Sequence, residues 1–308
     1  MHFHTSAGAA REIMKINHGR EQLNGFLLPA DQTTRNFEGI MANKLVRSVR
    51  RWWSGGQPAT EFAGDSLHYA RDYNRHVTHL TKTTDSLDKA MSIAVGGNFA
   101  AMGQIQSDLL RMLGLRDGMR VLDVGCGSGR GAIALARDFK IDYHGIDVVQ
   151  ALLDYAKANT PAHYRYSRVE QIEIPDADAS TDMVVAFSLF THLLHEETYR
   201  YLQECVRVLK PGGRLVFSFL EFAMPAHWHV FEGTIYESTQ PKRTHLNVFI
   251  ERPAIEAWAQ HLGLVIEGWQ DSKQGACIPL SRSVVTDGGD KLEGAANLGQ
   301  SVCVLRKN

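Results

Sequence analysis

Three glycines at alternating positions form the most informative feature of the sequence. Residues 121–130 read VLDVGCGSGR, so Gly125, Gly127 and Gly129 follow a short apolar run and precede a helix-forming stretch. Glycines let a backbone approach a ligand closely, and the N–H groups at a helix start accept a polar or anionic group. The turn is therefore predicted to bind a nucleotide-like ligand, and the alternative is a plain strand-to-helix turn.

The residues around these glycines narrow the choice of ligand. A dinucleotide fingerprint requires G-x-G-x-x-G. Counted from Gly125, the sixth position is Arg130, which does not fit. Counted from Gly127, it is Ala132, which fits only the looser form with alanine in place of the third glycine. No Gly-Lys-Ser/Thr follows, which excludes a P-loop. The carboxylate of Asp123 would repel a pyrophosphate, and it suits a ligand that carries an ammonium group.

A second acid, Asp147, follows the next predicted strand in the sequence His144-Gly145-Ile146-Asp147. It lies roughly 20 residues past the first glycine, where an acid can accept hydrogen bonds from both hydroxyls of a ribose. The alternative is an N-cap for the helix predicted over 149–158, which is a common role for aspartate. Its pairing with the glycine loop favours the ribose.

Strands and helices alternate from residue 119 onward, which predicts an α/β protein with a doubly wound parallel sheet. A helical region is expected upstream, over 66–114. The predicted strands cover 120–124, 143–146, 183–187, 214–220, 264–269 and 301–305, and the predicted helices cover 129–139, 149–158, 196–209 and 252–262. Lys210-Pro211-Gly212-Gly213 reads as a helix stop and turn.

The motifs VLDVGCGSGR, HGID, IEIPDADASTDMVVAF and LKPGGRLVFSF resemble, in this order, those of class I S-adenosylmethionine-dependent methyltransferases, of the type 11/12-like kind. The resemblance covers roughly residues 95–307. It implies a seven-stranded, mostly parallel Rossmann-like sheet whose last strand is antiparallel, which the terminal SVCVLRKN would supply. It also implies S-adenosylmethionine as the cofactor.

The same resemblance assigns roles to residues. Asp123 and the glycines Gly125, Gly127 and Gly129 would hold the methionine part of the cofactor, and Asp147 would hold its ribose.

Four further positions follow from the resemblance. Val148 would lie against the adenine, and Ser188, after the fourth strand, would lie near the reactive end of the cofactor. Glu170 stands where the family usually carries an aspartate facing the adenine amino group, one methylene longer here, with Gln171 beside it.

Histidines are the candidates for catalysis, because a hydroxyl acceptor must lose a proton and histidine is the commonest side chain for that step. His192 lies just past the fourth strand and ranks first. His229, with its neighbour His227, lies in the segment after the fifth strand. The alternative is positioning of the acceptor with no dedicated base.

The aromatic segment 222–249 is predicted to be an insertion that covers the substrate pocket, and the alternative is an interface of a homodimer or a satellite core. Residues 1–65 are predicted to be an N-terminal helical extension to a domain over 66–308. Within it, residues 41–53 contain KLVRSVRRWW, a basic amphipathic pattern. That segment either docks on the core or contacts a membrane surface or a partner protein.

Composition excludes several other classes. The 33 basic and 34 acidic residues leave a net charge of -1, which gives no support to nucleic-acid binding. The four cysteines form no CxxC pair and fit a reducing cytoplasm. No metal is expected, because the His76/His79 and His192/His195 pairs lack a third ligand at a matching spacing.

The sequence therefore predicts a cytoplasmic enzyme that methylates an O or N atom of a small molecule. Two alternatives stay open at this point: a methyltransferase acting on a protein side chain, and a catalytically silent module of the same fold.

Overall fold

The computed structural model describes residues 68–240, 246–271, 273 and 275–308. The segment predicted at 41–53, and residues 1–67 as a whole, lie outside the described residues. Helices and strands alternate over most of the described chain.

The helices are α1 (His68–Thr83), α2 (Leu87–Ala94), α3 (Phe99–Met112), α4 (Arg130–Asp138), α5 (Gln150–Ala158), α6 (His195–Val208), α7 (Pro225–Ser238) and α8 (Arg252–His261). The strands are β1 (Arg120–Val124), β2 (Asp142–Asp147), β3 (Arg165–Arg168), β4 (Thr181–Ala186), β5 (Leu209–Phe219), β6 (Leu264–Gln270), β7 (Ile278–Pro279), β8 (Val284–Val285), β9 (Lys291–Leu292), β10 (Ala295–Ala296) and β11 (Ser301–Lys307).

Seven of these strands form one sheet in the order β3-β2-β1-β4-β5-β11-β6. Neighbours from β3 to β5 pair in parallel, whereas β11 lies between β5 and β6 and is antiparallel to both. The predicted doubly wound sheet with an antiparallel last strand is therefore confirmed. Because β11 runs backwards, its first residues lie at the same edge as the carboxyl ends of the parallel strands.

Alternating side chains of the central strands fill two cores, one on each face of the sheet. Leu122, Val124 and Ile146 belong to one apolar cluster, and Val121 and Tyr143 belong to the other. Strands buried on both faces are typical of parallel sheets that helices cover on both sides. This burial explains why β1 and β4 read as nearly continuous apolar runs.

Helix α2 begins at an N-cap, Ser86, whose Oγ accepts the backbone N–H of Lys89 at 3.2 Å. Met91 of α2 packs with Val149 and Leu152 in a third apolar cluster, so the upstream helices are attached to the start of α5. The helical region predicted upstream of the sheet thus forms three helices, of which α3 packs in the core on one face of the sheet with Val121 and Tyr143.

The observed elements differ from the predicted ones in a few places. Strand β5 begins directly after α6, because Leu209 pairs with Thr181 of β4. The predicted turn at 210–213 lies inside the bounds of β5 as an irregularity: the next pair with β4 is Met183 with Arg214, and φ is 76° at Gly212. Strand β3 and the short pairs β7–β10 and β8–β9 were absent from the sequence prediction.

Candidate functional site

A cavity of about 440 Å³ opens at the carboxyl ends of β1, β2 and β4. Its size falls within the usual range for small-molecule sites, and its position is the usual one for a ligand in an open α/β sheet. The glycine loop forms one wall. A further part of the wall comes from α1 and from the residue after α2, including Tyr73 and Val95.

The glycine loop adopts left-handed backbone angles, with φ of 74° at Gly125, 55° at Gly127 and 82° at Gly129. A Cβ at Gly127 would lie 2.7 Å from Val95 Cγ1, so the protein itself requires a glycine there. Gly125 and Gly127 line the cavity. Gly129 does not; a Cβ there would lie 2.8 Å from Ala156 Cβ, so Gly129 serves the packing of α4 on α5.

Asp147 is held at the end of β2 by two backbone groups. Its Oδ2 accepts the Gly127 N–H and its Oδ1 accepts the Val149 N–H, both at 2.9 Å. Burial raises the pKa of Asp147, and these hydrogen bonds counteract part of that rise. The carboxylate lines the cavity, which is compatible with the predicted ribose role. It is not the N-cap of α5, because that position is Val149, whose own N–H the carboxylate accepts.

Asp123 is buried at the end of β1, and its Oδ2 accepts the Tyr143 hydroxyl at 2.7 Å. Burial raises the pKa of Asp123 to about 6, and Asp147 adds to the rise, whereas Tyr143 and Arg130 lower it. The side chain is therefore anionic at neutral pH. Its place in the cavity lining suits a cationic group of a ligand.

Two polar residues beside Asp123 were not among the predicted site residues. Gln106 of α3 is 4% exposed and lines the cavity next to Gly131. Arg130 also lines it, and its Nη1 donates to the Val95 carbonyl at 2.7 Å, which ties the glycine loop to the end of α2. The signal that could have identified Gln106 is its polar side chain within the apolar stripe predicted for α3.

Of the three residues predicted near the adenine, the structure places one in the cavity lining and two outside it. Val148 lines the cavity together with Val169. Glu170 is exposed and pairs with Arg168 at 3.2 Å, and Gln171 lines a separate groove. The structure does not bring Glu170 or Gln171 into the cavity, because the buried side chain after β3 is Val169.

The chain after β4 supplies another part of the cavity lining. Ser188 and His192 both line it, with His192 closing the short 3-10 turn Phe190–His192. The His192 Nδ1 lies 2.7 Å from the Leu246 carbonyl, so Nδ1 carries the hydrogen and the lone pair of the neutral ring is on Nε2. The ring meets Tyr73 edge to face at 5.6 Å.

The histidines of α7 have other surroundings. The side chain of His229 is 83% exposed and lies 3.1 Å from Glu232, outside the cavity lining. His227 is 2% exposed, and its Nδ1 lies 3.0 Å from the backbone nitrogen of Glu221. Burial lowers the pKa of His227. Of the three histidines considered for catalysis, His192 alone lines the cavity.

Helix α1 contributes a row of side chains that sequence reasoning missed. Tyr69, Tyr73 and His76 share one helical face and line the cavity. The Tyr69 hydroxyl lies 3.2 Å from that of Tyr201, and burial raises the pKa of Tyr201 to about 12. The spacing of these aromatic side chains was a signal, but nothing local indicated which surface they would face.

The described part of segment 222–249 forms an aromatic cluster rather than a wall of the cavity. Phe222 stacks on Phe249 at 4.4 Å, and Phe231 and Trp228 pack against Phe222 edge on. None of its described residues lines the cavity, so its role as a substrate cover stays a prediction.

No group of three or more His, Cys, Asp or Glu side chains among the described residues could hold a metal ion. None of the described helices is both long and apolar enough to cross a membrane.

Comparison with known proteins places this site in context. A family model described as a methyltransferase domain matches residues 122–217. A ubiquinone biosynthesis O-methyltransferase of Coxiella burnetii is 33% identical over 153 residues, which are 48% of this chain and 64% of that protein. The protein of the same name from Xylella fastidiosa is 30% identical over 174 residues, 54% of this chain and 69% of that protein. The chain thus spans slightly less than two thirds of the Coxiella relative.

One solved structure shares the fold. It is a Haloferax volcanii protein described as a methyltransferase, in complex with the Trm112 methyltransferase activator. The match has a TM-score of 0.53 at 19% identity and covers 76% of this chain and 96% of that one. At this level of identity the likeness extends to the sheet and its helices.

Proposed function

The chain belongs to the class I S-adenosylmethionine-dependent methyltransferases, and from that premise we propose that it transfers a methyl group to an oxygen or nitrogen atom of a small molecule. The family and its cofactor agree with the predictions from the sequence motifs. The observation that carries the proposal is one cavity lined by the buried Asp123, the half-buried Asp147, the glycine loop and His192. We assign the two acids and the glycine loop to a cofactor end of this cavity, and His192 to an acceptor end.

The residues at the first end fit S-adenosylmethionine. Asp123 offers a carboxylate to the ammonium group, and the buried Gln106 offers a carboxamide beside it. Asp147 stands where an acid can accept the ribose hydroxyls, and Val148 and Val169 offer apolar surface to the adenine. When bound, this cofactor supplies a methyl group already activated by its sulfonium.

The residues at the second end fit the removal of a proton from an acceptor. The Leu246 carbonyl holds Nδ1 of His192, which makes Nε2 the basic atom of the ring. The protein must also hold the acceptor atom about 3–3.5 Å from the methyl carbon and in line with it. Leu193, next to His192, also lines the cavity and offers apolar surface to an acceptor.

An oxygen acceptor is favoured over nitrogen. The two curated relatives are named O-methyltransferases, and a hydroxyl is the acceptor that needs a base such as His192. The acceptor site is part of a single small cavity with aromatic side chains from α1, which favours a small organic molecule over a protein side chain.

Calorimetry tests the first half of the proposal. The protein should bind S-adenosylmethionine and its demethylated product, and NADH should give no heat of binding. A screen of hydroxylated and aminated small molecules for release of the demethylated product, followed by mass measurement of the methylated compound, tests the second half. Tight binding of NADH in place of the methyl donor would contradict the proposal, and so would methylation restricted to proteins.

A cytoplasmic location and contacts of residues 41–53 are finer parts of this proposal. Cys126, Cys205 and Cys303 are buried free thiols, which fits a reducing compartment. Flotation with anionic liposomes, comparing the full chain with a variant that lacks residues 1–56, tests a peripheral membrane contact. Sedimentation of the full chain tests a homodimer. If neither the full chain nor the variant lacking residues 1–56 floats with the liposomes, the membrane contact is excluded.

A further inference from the structure

Ser188 has a backbone conformation that is unusual for a residue with a side chain. Its φ of 55° lies in the left-handed region, directly after β4 and beside the cavity. Two hydrogen bonds hold it there. The Ser188 N–H donates to Ser218 Oγ at 2.7 Å, and the Ser188 carbonyl accepts the Thr191 hydroxyl at 3.0 Å.

The same two serines converge on one side-chain oxygen. The Oε1 of Gln300 lies 2.6 Å from Ser218 Oγ and 3.2 Å from Ser188 Oγ. Ser218 lies on β5 and Gln300 lies directly before β11, so the contacts connect the ends of three neighbouring strands.

The directions of these hydrogen bonds determine the orientation of the carboxamide. Ser218 Oγ already accepts the Ser188 N–H, so its own hydrogen must go to another acceptor, and Gln300 Oε1 is the acceptor in reach. Ser218 is fully buried, and a flipped carboxamide would leave its hydroxyl hydrogen unpaired at a cost in free energy. Oε1 therefore faces the serines.

The nitrogen of the same carboxamide is then directed away from the serines. Gln300 lines the cavity, and no hydrogen bond from its Nε2 is found to any described residue. Its two N–H groups are donors offered to a ligand. They lie beside Ser188, whose Oγ is 3.2 Å from Gln300 Oε1, in the part of the lining that follows β4 and also includes His192.

We propose that Gln300 is a specificity-determining residue, which donates a hydrogen bond to a second oxygen atom of the acceptor, while Ser188 and Ser218 position its carboxamide. The inference rests on the proposed function and names its substrate class. The acceptor is a hydroxylated compound with a further oxygen that accepts a hydrogen bond. A site built around a donor discriminates against analogues that lack the matching acceptor, because the donor is then left unpaired.

Binding of simple phenols tests this assignment even while the natural acceptor is unidentified. The wild-type protein is saturated with S-adenosylhomocysteine, and binding of phenol and of 2-, 3- and 4-methoxyphenol is measured by calorimetry. The methoxy oxygen accepts a hydrogen bond and donates none. At least one isomer should bind about threefold to tenfold more tightly than phenol, as expected for one neutral hydrogen bond.

The variant Gln300→Glu is the sharpest comparison, because it preserves the shape of the side chain. One carboxylate oxygen still accepts both serine hydroxyls, and the other presents an acceptor where the N–H groups were. The preference for the methoxyphenol should disappear, with affinity for S-adenosylhomocysteine unchanged. Ser218→Ala removes one support of the carboxamide, and it should reduce the preference without abolishing it.

Gln203→Glu is the matched control, because it makes the same charge change on an exposed residue of α6. It should retain the full preference. Equal binding of phenol and all three isomers by the wild type, including no binding of any, would overturn the inference. Retention of the preference in Gln300→Glu would overturn it as well. Failure of the wild-type protein to bind S-adenosylhomocysteine would instead contradict the proposed function itself.

Discussion

The two ends of the cavity are built in different ways. The cofactor end comes mainly from two short stretches, 123–131 and 146–148, which neighbouring parallel strands bring to one edge. The acceptor end combines residues far apart in the chain: Tyr73 of α1, His192 after β4, and Gln300 before β11, with Leu246 orienting the histidine. Under the proposed function, the first end would recognise the cofactor largely with backbone groups and two carboxylates, and the second would recognise the acceptor with side chains.

This difference implies that the two ends can be disabled separately. Changes at the cofactor end should alter cofactor affinity, and changes at the acceptor end should alter turnover or acceptor preference with cofactor affinity intact. The following predictions test that separation, in order of decreasing effect.

Gly127→Val should abolish cofactor binding. The substitution forces a branched side chain onto a residue with φ of 55°, where the first carbon alone would lie 2.7 Å from Val95 Cγ1. It would also displace the N–H that Asp147 accepts. Calorimetry with S-adenosylmethionine measures the loss. Gly118→Val is the matched control, because φ there is 80° and a Cβ would meet no atom within 4 Å. Gly118→Val should lower the free energy of unfolding and leave cofactor binding intact. If Gly127→Val still binds the cofactor, the glycine loop is only a strand-to-helix turn and not a binding element.

His192→Ala should reduce turnover by roughly 10²–10⁴ at saturating acceptor, the usual range for loss of a general base. Cofactor affinity should be nearly unchanged, because the imidazole lies at the acceptor end. The measurement is the rate of S-adenosylhomocysteine release. His229→Ala tests the rival candidate and should have little effect, since that side chain is 83% exposed. A loss below tenfold in His192→Ala would leave positioning as the whole mechanism.

Asp147→Ala should weaken cofactor binding by about tenfold or more, because a hydrogen bond to a charged group contributes roughly 1.5–3 kcal/mol. The fold should persist, as measured by circular dichroism. Glu170→Ala is the paired control, because Glu170 is exposed and outside the cavity. Unchanged affinity in Asp147→Ala would limit this carboxylate to its hydrogen bonds with the Gly127 and Val149 backbone.

Cofactor affinity should fall at acidic pH. Burial raises the pKa of Asp123 to about 6, so below that pH the free protein loses the charge that the ammonium group requires. The dissociation constant should then rise by up to about tenfold per pH unit, because binding requires release of one proton. Asp123→Asn should bind weakly at neutral pH and lose most of this dependence. An equally steep profile in that variant would place the titrating group elsewhere.

The smallest effect concerns the scaffold under the cofactor end. His144 is buried, with Nδ1 3.1 Å from Asp176 Oδ1 and Nε2 2.8 Å from Ser167 Oγ. Burial lowers its pKa, as it does for His227, so the folded state binds fewer protons than the unfolded state. The contribution of the neutral His144 to the free energy of unfolding is therefore fully present above the pKa of the unfolded state, about 6.5. It is lost as the pH falls from there through the lower pKa of the folded state.

Thermal unfolding between pH 7 and 5 measures this effect. The midpoint should fall by a few degrees more in the wild type than in His144→Gln, on the order expected for about 1 kcal/mol in a domain of this size. His163→Gln, at an exposed position, should follow the wild type. Parallel profiles in all three proteins would remove His144 from the explanation.

Much of the cofactor end could be predicted from local sequence. The alternation of strands and helices, the glycine loop and the places of Asp123, Asp147 and Val148 follow from a motif in which strand, turn and helix are consecutive. The prediction did less well where side-chain direction mattered. Val169 faces the cavity, whereas Glu170 and Gln171 do not, because the path of the chain after β3 determines which side chain is buried.

The acceptor end depended on long-range contacts. Of the histidines after β4 and β5, His192 lines the cavity because its turn packs beside the segment that returns from α7, where the Val248 N–H donates to the Thr191 carbonyl at 2.8 Å. Sequence spacing contains no information about that pairing. The same limit applies to Gln106 and Gln300, which are ordinary polar residues until packing places them in the cavity.

The sequence by itself therefore determined the fold class, the family and the backbone that receives the cofactor. These depend on periodicity and on glycines whose conformational freedom is a local property. The tertiary structure decided which side chains meet at the acceptor end. The antiparallel strand β11 brings Gln300 to the carboxyl edge of β5, more than 80 residues away in the chain, and only folding creates that proximity.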